Sequence, residues 1–243
     1  MCFHTALTKP IKEIKKRFDV GTDSAMDVYQ PYYHHNGFSD EYIYIIKGEE
    51  PYTMVPSYWG IMPEDYNIYS RTGFLKKTNT LNARSENLFT SPLFSKHIRT
   101  QRCMILCDGF YEPHHRNNVS YPHLIQMKDK QLFVFAGIYS ELDDGLYTAS
   151  IITTLANDQM KEIHNKPSKQ GDFRMPLILD EKNEFDWLDL NLNDNQIKEL
   201  LFTFTSQDLI SHPVSRDLFN ARVNTNAPEI MQPVYYDALN TLF

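Results

Sequence analysis

Cysteine is scarce. Three cysteines in 243 residues cannot all pair, which argues against a disulfide-stapled secreted domain and for a reducing, cytoplasmic setting. Long apolar runs are absent too, and no stretch approaches the ~20 residues needed to cross a bilayer. The first twenty residues are polar and basic, unlike a secretory signal, so no membrane partner is expected. Positive charge is in short supply: 24 Lys and Arg face 31 Asp and Glu, for a net charge of −7. That balance argues against a basic coat that grips duplex DNA indiscriminately, while leaving room for a local basic groove. No G-x-S-x-G elbow marks a serine hydrolase, and no G-x-x-x-x-G-K cradles phosphate. Repeats, low-complexity tracts and linkers are also missing.

What is present is a globular composition, 42% hydrophobic and 13% aromatic, with Tyr and Phe at 15 each. Such a chain can bury one substantial core, and its aromatics favour strands. Strand-like stretches are read over residues 2–7, 52–61, 121–127, 132–139 and 146–154, and short apolar strands over 102–106 and 175–179. The turn signals Lys128-Asp129-Lys130 and Asp143-Asp144-Gly145 predict a hairpin meander through three of them. Helical spacing is read over residues 9–18, 157–163 and 195–201, with Asn157 as N-cap. Residues 30–40 read as a loop with solvated His34 and His35, and residues 82–96 as a helix opened by Asn82. Many strands without βαβ alternation imply an α+β fold in a single domain. The domain is taken to span residues 1–233, with a tail at 234–243, and a monomer is expected.

The second residue is cysteine. Removal of Met1 would expose its α-amine beside its thiol. The two titrate near ~8 and ~8.5, so both are partly nucleophilic at neutral pH. Such a 1,2-aminothiol condenses with an aldehyde through both groups and closes a thiazolidine ring. A lone cysteine carries no motif, however. Cys103 and Cys107 sit on an apolar strand, and with His114, His115 and His123 they miss the paired spacing of zinc sites. Neither metal nor cofactor is expected. Glu112 follows Phe110-Tyr111, where desolvation would raise its pKa towards acid–base use. His164 closes a short helix, whose dipole favours the charged ring. Taken singly, Asn82, Glu112 and His164 read as a cap, a rim carboxylate and a surface histidine.

Taken in order, the motifs say more. Met1-Cys2, Trp59-Gly60-Ile61-Met62-Pro63, Asn82-Ala83-Arg84-Ser85-Glu86 and Arg102-Cys103 come first. Asp108-Gly109-Phe110-Tyr111-Glu112, Phe135-Ala136-Gly137-Ile138-Tyr139, Ser150-Ile151-Ile152-Thr153-Thr154, Ile163-His164 and Arg174-Met175-Pro176-Leu177-Ile178-Leu179 follow. This series resembles the SRAP family, the SOS-response-associated peptidases or abasic-site processing proteins. The resemblance implies a mostly antiparallel, barrel-like sheet with peripheral helices. It implies a DNA-damage-response enzyme that shields abasic sites in single-stranded DNA by covalent crosslinking. Cys2 would be the nucleophile, Asn82 the positioning residue, Glu112 the acid–base carboxylate and His164 the assisting imidazole. Arg84 and Arg174 would contact phosphates, and Trp59 is implied either as a stacking face or as core. Phe3 and His4 depart from the Gly-Arg that follows the cysteine in many members, and residues 165–173 separate His164 from the Arg-Met-Pro motif further than usual. A thiol peptidase acting through Cys2 and a non-catalytic single-strand binder are the alternative readings.

Overall fold

Two sheets share the strands of this computed structural model, which describes residues 2–21, 25, 27–201 and 209–240. In chain order the strands are β1 (His4–Leu7), β2 (Tyr32–Asn36), β3 (Tyr42–Lys47), β4 (Glu50–Trp59), β5 (Asn82–Arg84) and β6 (Arg102–Cys107). There follow β7 (Gly109–Arg116), β8 (Val119–Met127), β9 (Phe133–Glu141), β10 (Tyr147–Leu155), β11 (Arg174–Pro176) and β12 (Leu209–Pro213). The first sheet is open, in the order β12-β8-β7-β1-β2. The second runs β10-β4-β3-β6-β9, and β9 pairs back onto β10, so these strands close into a ring. Most pairings are antiparallel; β10 lies parallel to β4 and to β5, which makes the ring mixed. The expected barrel-like α+β domain is what the chain forms.

Strands β6 and β9 explain the tight core. Every residue of β6 is buried, and only Glu141 of β9 is exposed. Buried on both faces, they read as continuous apolar runs. Their side chains alternate between two clusters: Met104, Leu106, Val134 and Ala136 on one face, Cys103, Ile105, Cys107 and Phe135 on the other. Helix Ile11–Phe18 packs Ile14 and Phe18 into the first cluster, as its spacing predicts. Helix Asp158–Ile163 is capped by Asn157, whose side chain accepts from Met160 N at 2.8 Å. Buried guanidiniums tie loops to this frame. Arg102 donates to Trp187 O and Ile98 O, both at 2.8 Å, and Arg71 holds Gly37 O at 2.8 Å and Asp40 at 2.9 Å.

Several local expectations are corrected. Residues 30–40 contain β2, and His34 and His35 are buried in it rather than solvated. Tyr32 and Tyr33 supply strand propensity that the neighbouring Pro31, Asn36 and Gly37 mask. Residues 82–96 do not form a helix: Asn82 begins β5, and a 3-10 turn at Ser85–Asn87 follows. The partner of β5 is β10, with Asn82 opposite Ile151, so no local pattern announces the pairing. Strands β8 and β9 are consecutive but lie in different sheets, so only β9–β10 is the expected hairpin. The aperiodic segment after Pro213 covers the open sheet, with Val214, Leu218 and Ile230 packed on Ala6, Tyr111 and Leu124. Residue Val234 of the tail donates to Pro213 O at 2.9 Å; residues 241–243 lie outside the described residues.

Candidate active site

The site forms where β1, paired between β7 and β2 in the open sheet, runs out towards the N-terminus. Register pairs His4 with Tyr111 on β7 and with Asn36 on β2, which brings the residues before His4 alongside Glu112. Cys2 is fully buried, and its thiol reaches His4 O at 3.6 Å. Asn82 arrives on β5 and donates from Nδ2 to Cys2 O at 2.8 Å. Its Oδ1 is buried and accepts no hydrogen bond among the described residues. Met1, whose removal the aminothiol requires, lies outside the described residues.

Glu112 is fully buried in the middle of β7, not at a strand end. His164 stands just past helix Asp158–Ile163, with Nδ1 3.0 Å from Glu112 Oε2. That placement is built by neighbours on β7. His114 donates from Nδ1 to Ile163 O at 3.0 Å, and Asn165 bridges His115 N and His115 O at 2.8 and 2.9 Å. The loop that makes His164 hard to place by sequence spacing is thus fixed to the strand that carries its partner.

Electrostatics couple the group. Burial pushes the Cys2 thiol well above its usual range, and the charge of Glu112 adds to that. The positive N-terminal amine pulls the thiol partly back. For Glu112, burial acts upward, but the N-terminal amine and His164 outweigh it, and the carboxyl titrates below its ordinary value. The expected raised pKa is therefore corrected: the N-terminal amine and the hydrogen bond with His164 favour the ionised carboxylate over the desolvation that burial imposes. Neither neighbour is close in sequence, so the Phe110-Tyr111 context alone misleads.

The two arginines lie together on either side of the end of β10. Arg84 on β5 pairs with Asp172 and donates to Gln170 at 2.7 Å. Arg174 on β11 is buried and holds Glu86 through both terminal nitrogens, at 2.5 and 3.0 Å. Glu86 and Asp172 are components that sequence reasoning missed. Of the two readings of Trp59 the structure takes the core one: it is 0% exposed and donates from Nε1 to Leu81 O at 2.7 Å, so its ring supports the residue before Asn82 and offers no face to a base. A different aromatic pair flanks Cys2. The rings of Phe3 and Phe38 lie 5.7 Å apart, and Phe38 is 52% exposed. His4 bonds through Nδ1 to His34 Nε2 at 2.8 Å. The doublet His34-His35 behind two tyrosines is the signal that a strand, rather than a loop, presents these rings.

A buried cysteine whose backbone carbonyl is held by an asparagine thus lies near a buried carboxylate–imidazole pair, where the closed ring meets the open sheet. A family model described as SOS response associated peptidase (SRAP) matches residues 1–221, and the chain belongs to that family. It is 30% identical over 238 residues to the abasic site processing protein YoqW of Bacillus subtilis, spanning 96% of this chain and 99% of that one. It is 29% identical over 201 residues to the abasic site processing protein HMCES of Xenopus tropicalis, covering 72% of this chain and 56% of that protein. A crystal structure of a Bacteroides thetaiotaomicron protein superposes with a TM-score of 0.83 at 28% identity, over 96% of this chain and all of the other.

Proposed function

We propose that this chain processes abasic sites in single-stranded DNA by forming a covalent crosslink through Cys2. The observation that carries the reading is the convergence at one chain end of Cys2, Asn82, Glu112 and His164. The electrophile is the aldehyde of the ring-opened deoxyribose. With Met1 removed, the Cys2 amine attacks that carbon and gives a carbinolamine. Proton donation to its hydroxyl releases water and leaves an imine. The thiol then adds to the imine carbon while its proton passes to the nitrogen, closing the thiazolidine. One water is lost overall.

The surroundings suit each step. The depressed Glu112 carboxylate takes the proton that the attacking amine sheds and returns one to the departing hydroxyl. His164, 3.0 Å away, holds that carboxylate in place and shares the transfer. The thiol is kept protonated by burial, so the amine acts first and the thiol proton is available at ring closure. Asn82 fixes the Cys2 carbonyl and so the direction of the amine. Arg84 and Arg174 are the groups for the phosphates on either side, exchanging carboxylate partners for the strand. Exposed Phe38 offers an unpaired base a stacking face.

The test is intact-mass spectrometry after mixing the protein with a single strand carrying one abasic site. An adduct equal to the Met1-free chain plus the strand less one water is expected. Cys2→Ala and an undamaged strand should give none. Protein verified to begin at Cys2 that yields no adduct overturns the reading and favours a passive binder.

A further inference from the structure

We propose that the cleft between the end of β2 and the segment 218–226 is a subsite for the nucleobase next to the abasic position, and that it prefers guanine. The proposal rests on the reading of Cys2 given above. The cleft encloses about 490 Å³ and is separate from the thiol's own buried surroundings. His4 stands in its wall, two residues from Cys2. At the rise of an extended strand that is about 7 Å, within reach of the neighbouring nucleotide of a strand held at Cys2.

The cleft is built rather than incidental. From His4 the hydrogen-bond chain continues through His34 Nδ1 to Thr225 Oγ1 at 2.6 Å. Asn226 Oδ1 accepts from Tyr33 N at 2.8 Å. These bonds fasten the segment to β1 and β2 and leave a defined gap between them.

Its chemistry suits a base better than a phosphate, since neither Lys nor Arg lines it. Asn220 spends Oδ1 on Arg222 N at 3.1 Å, and Asn224 spends Oδ1 on Asn226 N at 3.0 Å. Each therefore turns its amide Nδ2 donors the other way. Glu41, also in the lining, supplies an acceptor. Phe219 is 40% exposed, with its ring 5.6 Å from that of His4, and provides a flat apolar face. A planar heterocycle with acceptors on one edge and adjacent N–H donors on another fits this set. Guanine has both: O6 and N7 accept from amides, and N1–H with N2–H₂ matches a carboxylate.

The test measures affinity of the whole chain for short single strands with a central tetrahydrofuran, an abasic analogue that has no aldehyde. The flanking nucleotide is G, A, C, T or a second tetrahydrofuran, on each side in turn. On one side only, replacing guanine with the baseless residue should weaken binding about tenfold. Glu41→Gln should erase the preference for guanine but keep the penalty for a missing base. Phe219→Ala should erase both, and Phe219→Tyr should restore them, which a merely unfolded segment would not allow. Equal binding of all flanks by the unaltered protein, or a flank effect that survives Phe219→Ala, overturns the proposal. Crosslinking is read separately on the aldehyde strand. A missing adduct there overturns the Cys2 chemistry, while the flank series still decides the cleft.

Discussion

In the closed ring, β6 and β9 bury nearly every side chain, and Gly137 is so enclosed that an added Cβ would lie 2.7 Å from Ile105 Cδ1 and 3.0 Å from Cys103 Sγ. In the open sheet, β1 and its neighbours β7 and β2 carry a buried cysteine, a buried carboxylate and a row of buried imidazoles towards one end. The ring buries mainly apolar side chains, with Arg102 spending its guanidinium on loop carbonyls, and this packing leaves little freedom to rearrange. The open sheet uses burial to intensify polarity, since charges taken out of water act on one another more strongly. The difference is one of setting: interacting charges gather at a strand end beside a rigid neighbour, and not inside the neighbour.

The largest way to break that contrast is Glu112→Gln. It keeps the shape of the side chain and removes the charge that couples the N-terminal amine, Cys2 and His164. Crosslink formation should slow by roughly 10²- to 10⁴-fold, as for loss of a general acid–base, while the thermal midpoint changes little by comparison. A rate within a few-fold of the unaltered protein would remove Glu112 from the chemistry.

A second effect comes from pH. Burial holds His4 and His35 down to about 4 and His34 to about 3, against 6.5 for a free ring. Between those values the unfolded chain binds protons that the folded chain refuses. Stability should therefore be complete above pH 6.5 and fall as pH drops towards 4, by roughly 3 kcal/mol or less per ring. Depressed carboxyls such as Glu112 act in the same direction at the acid end, since their contribution is lost as pH falls through their folded value. Urea melts at pH 7 and 4.5 check this, and a flat profile would contradict buried neutral imidazoles.

The smallest effect belongs to the ring. Gly137→Ala should destabilise by about 1–3 kcal/mol through overpacking, read as a lower melting midpoint. The crosslinking rate of protein that remains folded should hold. If that rate fell with stability, the ring would be part of the site and the contrast between the two regions would fail.

Much of the frame was readable from local pattern. The alternation of β9 and β10 around Asp143-Asp144-Gly145 carries its own hairpin, and Asn157 announces the helix it caps. Asn82 reads locally as a cap because its partner strand lies far along the chain. The aromatics adjacent to Glu112 imply a raised pKa, whereas the amine and His164 that lower it are not local in sequence. Trp59 carried the right motif, but nothing in its spacing says which face of β4 is covered.

By itself, then, the sequence determined an α+β chain with no helix-sized apolar span, a cysteine one residue from its start, and an ordered series of motifs that points to one family. Those features depend on residue identity and short-range periodicity, which the chain states directly. Only the tertiary structure decided that β9 closes onto β10, that Arg84 and Arg174 meet Asp172 and Glu86, and that His164 faces Glu112 across a loop pinned by Asn165. These are contacts between distant residues, and burial sets their strength, so neither their existence nor their charge states follow from nearest neighbours.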